Sequence, residues 1–275
     1  MTSAKHQAQL TGVSETALLT LYGRAREARR TDGIIDDPTA IRLVESIDYD
    51  FTKFGRTRQD MALRARAFDT QTQRYLAEHP DATVVALAEG LQTSFWRLDA
   101  ALPKGRFHWL TVDLPPIIDI RRQLLPPSPR VALCAQSALD FGWMDRVDTA
   151  AGVFITAEGL LMYLQPEQAM GLIMECAKRF PGGQMMFDLP PRWFTGLSQR
   201  GWLRPSRRYT VPAMPFTMTV EQADRLAGTV PGVRAVRDLQ LPPARGLVVN
   251  TLLQAGHRLP VLHGVRGVLT LLEFG

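Results

Sequence analysis

The sequence predicts an α/β protein built on a mostly parallel sheet with helices on both faces. Three observations predict it. The first eighty residues carry apolar residues at helical spacing. From residue 83 onward, short and almost wholly apolar runs alternate with helix-like segments. Runs of strand length without polar alternation belong to strands buried on both sides. Finally, 45% of the 275 residues are hydrophobic and 21% charged, a globular balance that excludes a disordered or fibrous chain.

The elements follow in order. Ser14 is placed to cap a first helix with Ala17, Leu18, Leu21 and Ala25 on one face. The basic run Arg24, Arg26, Arg29 and Arg30 closes it. Asp36-Asp37-Pro38 breaks the pattern, and a short helix follows through Ile41 and Leu43. A longer amphipathic helix is expected from about Thr57 to Ala77, ended by His79-Pro80-Asp81. Strands are predicted at Thr83–Leu87, Phe107–Val112, Arg130–Ala135, Gly152–Thr156 and Gln184–Phe187. Between them fall helices near Thr93–Ala101, Ile117–Leu125 and Pro166–Phe180. A Pro- and Arg-rich stretch runs from Pro190 to Phe216, and Thr219 with Gln222 then forms a capping box. Strands at Val233–Leu239 and Val268–Phe274 flank a helix around Leu247–Ala255. The organisation expected is a helical cap over residues 1–80 and an α/β domain over 81–275, with a lid at about 190–216.

Charge and composition narrow the function. The 32 Lys and Arg against 27 Asp and Glu leave a net charge of +5, too small and dispersed to establish nucleic-acid binding. No apolar run approaches the ~18 residues of a membrane helix, and the amino-terminal stretch has no secretory h-region. Cys134 and Cys176 lie far apart in apolar segments, which predicts buried thiols in a reducing, cytoplasmic compartment. The five histidines and two cysteines show no metal-ligand spacing.

In an open α/β sheet, ligands bind beyond the carboxyl ends of the strands, so the residues just after each strand are the candidates. The first strand runs into Ala88-Glu89-Gly90, a turn where glycine lets backbone approach a ligand; by itself this is also an ordinary tight turn. The second ends in Asp113-Leu114-Pro115. A carboxylate about twenty residues past the glycine turn is placed to accept both hydroxyls of a ribose, although Asp before Pro also starts helices. The third leads to Ser137 and Ala138, and the fourth to Glu158, a lone carboxylate in an apolar stretch that needs a partner.

The series GLQTSFWRLD, LTVDLP, QSALD and TAEGLLMYLQPEQ, in this order and spacing, resembles the leucine carboxyl methyltransferase family, and within it the bacterial branch of polyketide O-methyltransferases. IIDDP, DYDFTKFG and LRARAFD extend the likeness, which spans roughly Leu18 to Asp188. The resemblance implies a class I fold for S-adenosylmethionine, with a seven-stranded sheet whose last strand is antiparallel. It implies that Ala88, Gly90 and Thr93 line the methionine part of the cofactor. Asp113 would hold the ribose, Ser137 and Ala138 border the adenine, and Glu158 face the cofactor, with Glu89 and Leu114 also among the cofactor-binding residues. It also implies an arginine for the cofactor carboxylate, through a fork of the kind guanidinium makes; Arg66 is favoured, with Arg64 open. Two departures stand out: Ala88 replaces the family's first turn glycine, and Ser137 stands where eukaryotic relatives carry Asp.

The implied activity is O-methylation of a small-molecule carboxylate or hydroxyl, such as a polyketide-like acceptor. The lid offers Trp193, Trp202, Arg204, Arg207 and Arg208, with Tyr163 nearby. Aromatics among arginines suit a planar acidic molecule. No general base is evident; Tyr163, His257 and His263 qualify by residue type alone. Three alternatives are a cofactor-binding protein with little turnover, motivated by Ala88, a nucleic-acid methyltransferase, and a dinucleotide oxidoreductase.

Overall fold

A computed structural model describes residues 5–259 and 263–275. Seven strands form one sheet: β1 (Thr83–Leu87), β2 (His108–Asp113), β3 (Val131–Ala135), β4 (Val153–Ala157), β5 (Gln184–Leu189), β6 (Val233–Asp238) and β7 (Val268–Phe274). Their order is β3-β2-β1-β4-β5-β7-β6. β7 runs antiparallel to both of its neighbours, while β1 pairs in parallel with β2 and β4. The strand order reverses at β1 and β4, where a crevice opens at the carboxyl ends.

The apolar runs are strands because both faces are covered. Val85 and Leu87 of β1 face one cluster with Leu18, Leu43, Ile117 and Leu172. Val84 and Ala86 face the other, with Phe68, Leu76, Phe95 and Leu98. This is the two-residue alternation of a pleated strand. α1 (Thr16–Ala28), α2 (Pro38–Ser46), α5 (Pro115–Leu124) and α6 (Pro166–Arg179) cover the first face; α3 (Asp60–Glu78) and α4 (Ser94–Ala101) cover the second. Burying each such Leu or Phe stabilises by about 1.5–3 kcal/mol. The helices of the first eighty residues thus share a core with the sheet.

Asp37 caps α2, accepting the Ala40 amide at 2.9 Å, with Pro38 at the first turn. Thr219 and Gln222 make the expected capping box of α8 (Val220–Asp224). α9 (Leu226–Thr229) follows, and α10 (Leu247–Arg258) lies between β6 and β7. Both cysteines are buried free thiols. No helix among the described residues is long and apolar enough to cross a membrane.

One sequence expectation changes and three features are new. Ser14 does not cap α1; the cap position is Glu15, whose carboxylate instead accepts the Tyr49 hydroxyl at 2.5 Å. Arg24, the first of the basic run that closes α1, is 1% exposed and pairs with Asp37. The segment read as a lid contains a helix, α7 (Arg192–Gln199), entered through Pro191. A short parallel pairing of His6–Gln7 with Ile47–Asp48 was not foreseen.

Candidate functional site

A cavity of about 1090 Å³ opens along the carboxyl ends of β1, β2, β4 and β5. Its floor is built from the turns that follow those strands. After β1 the chain turns sharply: Ala88 sits at φ +48° and Gly90 at φ +61°. A Cβ on Gly90 would stand 3.0 Å from the Ala17 Cβ, so α1 packs directly on this turn. Asp113, at the end of β2, accepts the Gly90 amide at 2.6 Å on one oxygen and the Leu114 amide at 2.7 Å on the other. Burial raises its pKa to about 6, against the pull of those two amides.

The turn is clamped from both sides. Arg121 of α5 donates to the Gly90 and Gln92 carbonyls, both at 2.9 Å, and pairs with Glu89 at 2.8 Å. Arg24 of α1 donates to the Leu91 carbonyl at 2.7 Å. Arg97 of α4 forks onto Asp69 at 2.6 and 3.0 Å and reaches Asp37 at 2.8 Å. The Thr93 hydroxyl donates to Asp37 as well, at 2.6 Å. Burial acts to raise the Asp37 carboxyl, but the Arg97 and Arg24 guanidiniums overcome it and hold the group below its ordinary range. The Asp69 carboxyl is pushed up by burial despite Arg97.

A second polar group closes the far side of the floor. Glu158, just beyond β4, accepts from Arg64 at 3.0 Å and from Gln92 at 2.9 Å. Arg64 also reaches Asp188 of β5 at 3.4 Å, and Asp188 accepts the Gly159 amide at 2.7 Å. Gly159 lies at φ +67°, and a Cβ there would crowd the Arg64 guanidinium at 3.2 Å. Burial pushes the Asp188 carboxyl up, opposed by Arg64.

Most of the residues singled out in the sequence meet in this cavity. Ala88, Glu89, Gly90, Asp113, Leu114, Ser137, Ala138, Glu158 and Tyr163 all line it, as do Trp193 and Arg204 from the lid segment. Glu89 contributes mainly structure, since its carboxylate is taken up by Arg121, Trp109 and Thr111. Five residues are not brought in. Arg66 lies on the exposed face of α3 and donates to the Ile34 carbonyl at 3.2 Å, so Arg64 is the arginine of that helix that faces the site. Thr93 is buried beneath the turn. Trp202 is 69% exposed under the Arg200 guanidinium, outside the lining. Arg207 is exposed and outside it too, and Arg208 is spent on Asp50 and Thr52 at 2.7 and 2.8 Å.

Sequence reasoning missed Gln92, Asp188, Leu239 and Gln254; the β6–β7 segment brings the last two to the cavity together with His257, which was named only by residue type. Asp188 had a signal: like Glu158, it is a lone carboxylate closing an apolar strand. Of the three candidate bases, Tyr163 and His257 line the cavity and His263 does not. His257 and His263 bond main-chain carbonyls at 2.9 and 3.2 Å. Burial raises the Tyr163 phenol to about 12.

The sheet order, with the antiparallel β7 between β5 and β6 and a cavity at the strand ends, is that of the class I methyltransferase fold. The leucine carboxyl methyltransferase family model matches residues 17–177. The chain is 32% identical over 229 residues to the tetracenomycin polyketide synthesis O-methyltransferase TcmP of Streptomyces glaucescens, covering 82% of each. It is 28% identical over 251 residues to the S-adenosyl-L-methionine-dependent methyltransferase dpfgK of Gibberella zeae, covering 84% of this chain and 83% of that one. Among solved structures, the small RNA methyltransferase HEN1 superposes with a TM-score of 0.50 at 17% identity, over 76% of this chain and 25% of that chain, a likeness of fold alone. The chain belongs to the leucine carboxyl methyltransferase family and is an S-adenosylmethionine-dependent methyltransferase.

Proposed function

We propose that the protein transfers the methyl group of S-adenosylmethionine to an oxygen of a small acidic or aromatic acceptor, and that both molecules share the one cavity. The donor set supports this reading. Asp113 offers a carboxylate suited to two vicinal hydroxyls, Glu158 and Asp188 offer acceptors for an ammonium group, and Arg64, bonded to both through Nε and Nη1, keeps its Nη2 donors for a carboxylate. Ser137 and Ala138 offer a small wall for a flat base. Residues Ala88 and Gly90 keep the floor shallow. A volume of about 1090 Å³ lies at the upper end of small-molecule sites, enough for two ligands side by side. The observation that carries the reading is the position of two carboxylates, Asp113 and Glu158, on opposite sides of the β1 turn in one cavity.

When bound, S-adenosylmethionine supplies an electrophilic methyl group on a sulfonium. The chain's task is to hold the acceptor oxygen in line with it, which is catalysis by proximity and orientation. Leu160, Met162, Val211 and Met214 give the cavity buried apolar walls that keep water away. A carboxylate acceptor is already a nucleophile and needs no base, in accord with a site where Tyr163 keeps its proton.

The test is a thermal shift with S-adenosylhomocysteine, followed by a methylation screen of aromatic and fatty carboxylic acids. A ligand at ~100 times its Kd adds about 2.7 kcal/mol to the native state. Asp113→Ala should remove most of that shift. A wild-type protein that neither shifts nor yields a methylated product would overturn the reading; a shift without product would leave a cofactor-binding protein with little turnover.

A further inference from the structure

The cavity has an exposed rim as well as a buried floor. Arg56, Arg58 and Arg204 all line it, all are exposed, and none makes a hydrogen bond or ion pair among the described residues. They come from two distant stretches, the turn before α3 and the lid segment. Those stretches are fastened together. The Ser206 hydroxyl donates to the Lys53 carbonyl at 2.5 Å, and Phe54 meets Tyr209 edge-on with centroids 4.8 Å apart. Gly55, at φ +71°, lets the backbones touch: a Cβ there would lie 2.9 Å from the Pro205 carbonyl oxygen. Arg208 does its part in this fastening through Asp50 and Thr52. Arg204, four residues earlier, is left facing the cavity.

One carboxylate, Asp60, shares the rim, so it keeps a positive excess. Deeper in the cavity the lining arginines already have carboxylate partners: Arg64 has Glu158 and Asp188, Arg24 has Asp37, and Arg266 has Asp238. Phe54, Leu203, Val211 and Met214 add apolar wall to the same cavity. An acceptor that fills it would bury its apolar body on those walls and bring its outer end to unpaired guanidiniums. These bind anionic oxygen groups by forked, charge-assisted hydrogen bonds.

We propose that Arg56, Arg58 and Arg204 form a distal subsite that selects acceptors bearing a second carboxylate, remote from the oxygen that is methylated. The proposal rests on the reading of the cavity as the acceptor site. It assigns the selection to the fastened rim and not to the lid arginines as a group, since Arg207 and Arg208 lie outside the lining.

The test is calorimetric titration of the protein, with and without S-adenosylhomocysteine, using two matched pairs of probes: terephthalate against benzoate, and the linear biphenyl dicarboxylate against biphenyl monocarboxylate. The wild type should bind the longer dicarboxylate about tenfold or more tighter than its monocarboxylate, since a charge-assisted pair is worth about that factor. The preference should shrink at high salt. It should be lost in Arg204→Gln and in the Arg56→Gln, Arg58→Gln double variant, and return in part with Lys. Arg74→Gln, on the exposed side of α3, should leave it unchanged. Equal binding of both members of each pair, or a preference that survives the arginine variants, would overturn the subsite. S-adenosylhomocysteine affinity, read in the same samples, separates the outcomes. If it stays intact while the preference is missing, only the subsite falls; if it is absent in the wild type, the cofactor reading falls while the ligand-free titration still judges the subsite.

Discussion

Asp113 is the residue on which cofactor affinity should turn with pH. Its carboxyl titrates near 6 in the folded protein against an ordinary value of 3.8, because burial opposes its charge. A raised carboxyl pKa means the native state holds the proton more tightly, so this group's contribution to stability is present at low pH and lost as pH rises from about 4 to about 6. Cofactor binding runs the other way, since ribose hydroxyls need an ionised acceptor. The Kd for S-adenosylhomocysteine should therefore weaken as pH falls from 7 to 5, by at most about tenfold per unit for one proton. Asp113→Asn should bind weakly and without that inflection; a wild-type profile flat across this range would rule the role out. Ala88 carries a second residue-scale expectation. It alone among the described non-glycine residues has positive φ, a conformation costing about 1–2 kcal/mol for an L side chain. Glycine there would recover that strain and lose about 0.5–1 kcal/mol to chain entropy. Ala88→Gly should thus gain up to about 1.5 kcal/mol in urea unfolding; a clear loss would show that the methyl group packs usefully.

At the scale of elements, the β1 turn owes its shape to charges on three helices. Asp37 is the hub: Arg24, Arg97, Thr93 and the Ala40 amide all bond to it. Removing one partner of a buried pair costs about 3–5 kcal/mol, because the other charge is left uncompensated. Asp37→Ala strands Arg24, which is fully buried, and should destabilise by that order in urea unfolding; a loss below about 1 kcal/mol would mean that the network is dispensable. This hub also marks where the sequence stops being legible. The strands were readable because apolar runs must be buried on both faces, and β1 and β7 match their expected bounds. Asp113 and Glu158 were readable because strand ends point to the crevice. The structure turns Arg64 and not Arg66 toward the cavity, and helix phase holds the reason. Arg64 shares its stripe with buried Phe68 and Thr72, and Arg66 shares its own with Thr70 and exposed Arg74. The partners of Asp37 were not legible: they lie 13, 56 and 60 residues away in sequence, and no local period encodes such pairings.

For the whole molecule, the question is whether the first eighty residues move as a cap or unfold with the sheet. Leu18, Leu21 and Ala25 of α1 join the cluster that holds Val85, Leu87 and Val112, and Arg24 crosses from the same helix to the β1 turn. An element tied by both apolar burial and a buried ion pair opens only with the global transition. The β6–β7 segment is tied differently. Gln59 accepts the Arg245 amide at 2.8 Å and donates to its carbonyl at 3.1 Å, and the Arg245 guanidinium pairs with Glu27 and with Asp32. Beyond that point Leu247 and Val249 of α10 are exposed. Hydrogen exchange should therefore find α1 amides from Leu18 to Ala25 as slow as those of β1, and α10 amides markedly faster. Arg245→Ala should quicken α10 further while leaving β1 unchanged, because the side-chain pairs it removes reach only the end of α1 and the turn after it, while the main-chain bonds to Gln59 stay. S-adenosylhomocysteine should slow exchange around Ala88–Gly90 in both proteins. If α1 exchanges with α10 instead of with β1, the shared core does not govern its opening, and the amino-terminal helices behave as a separate cap over the site.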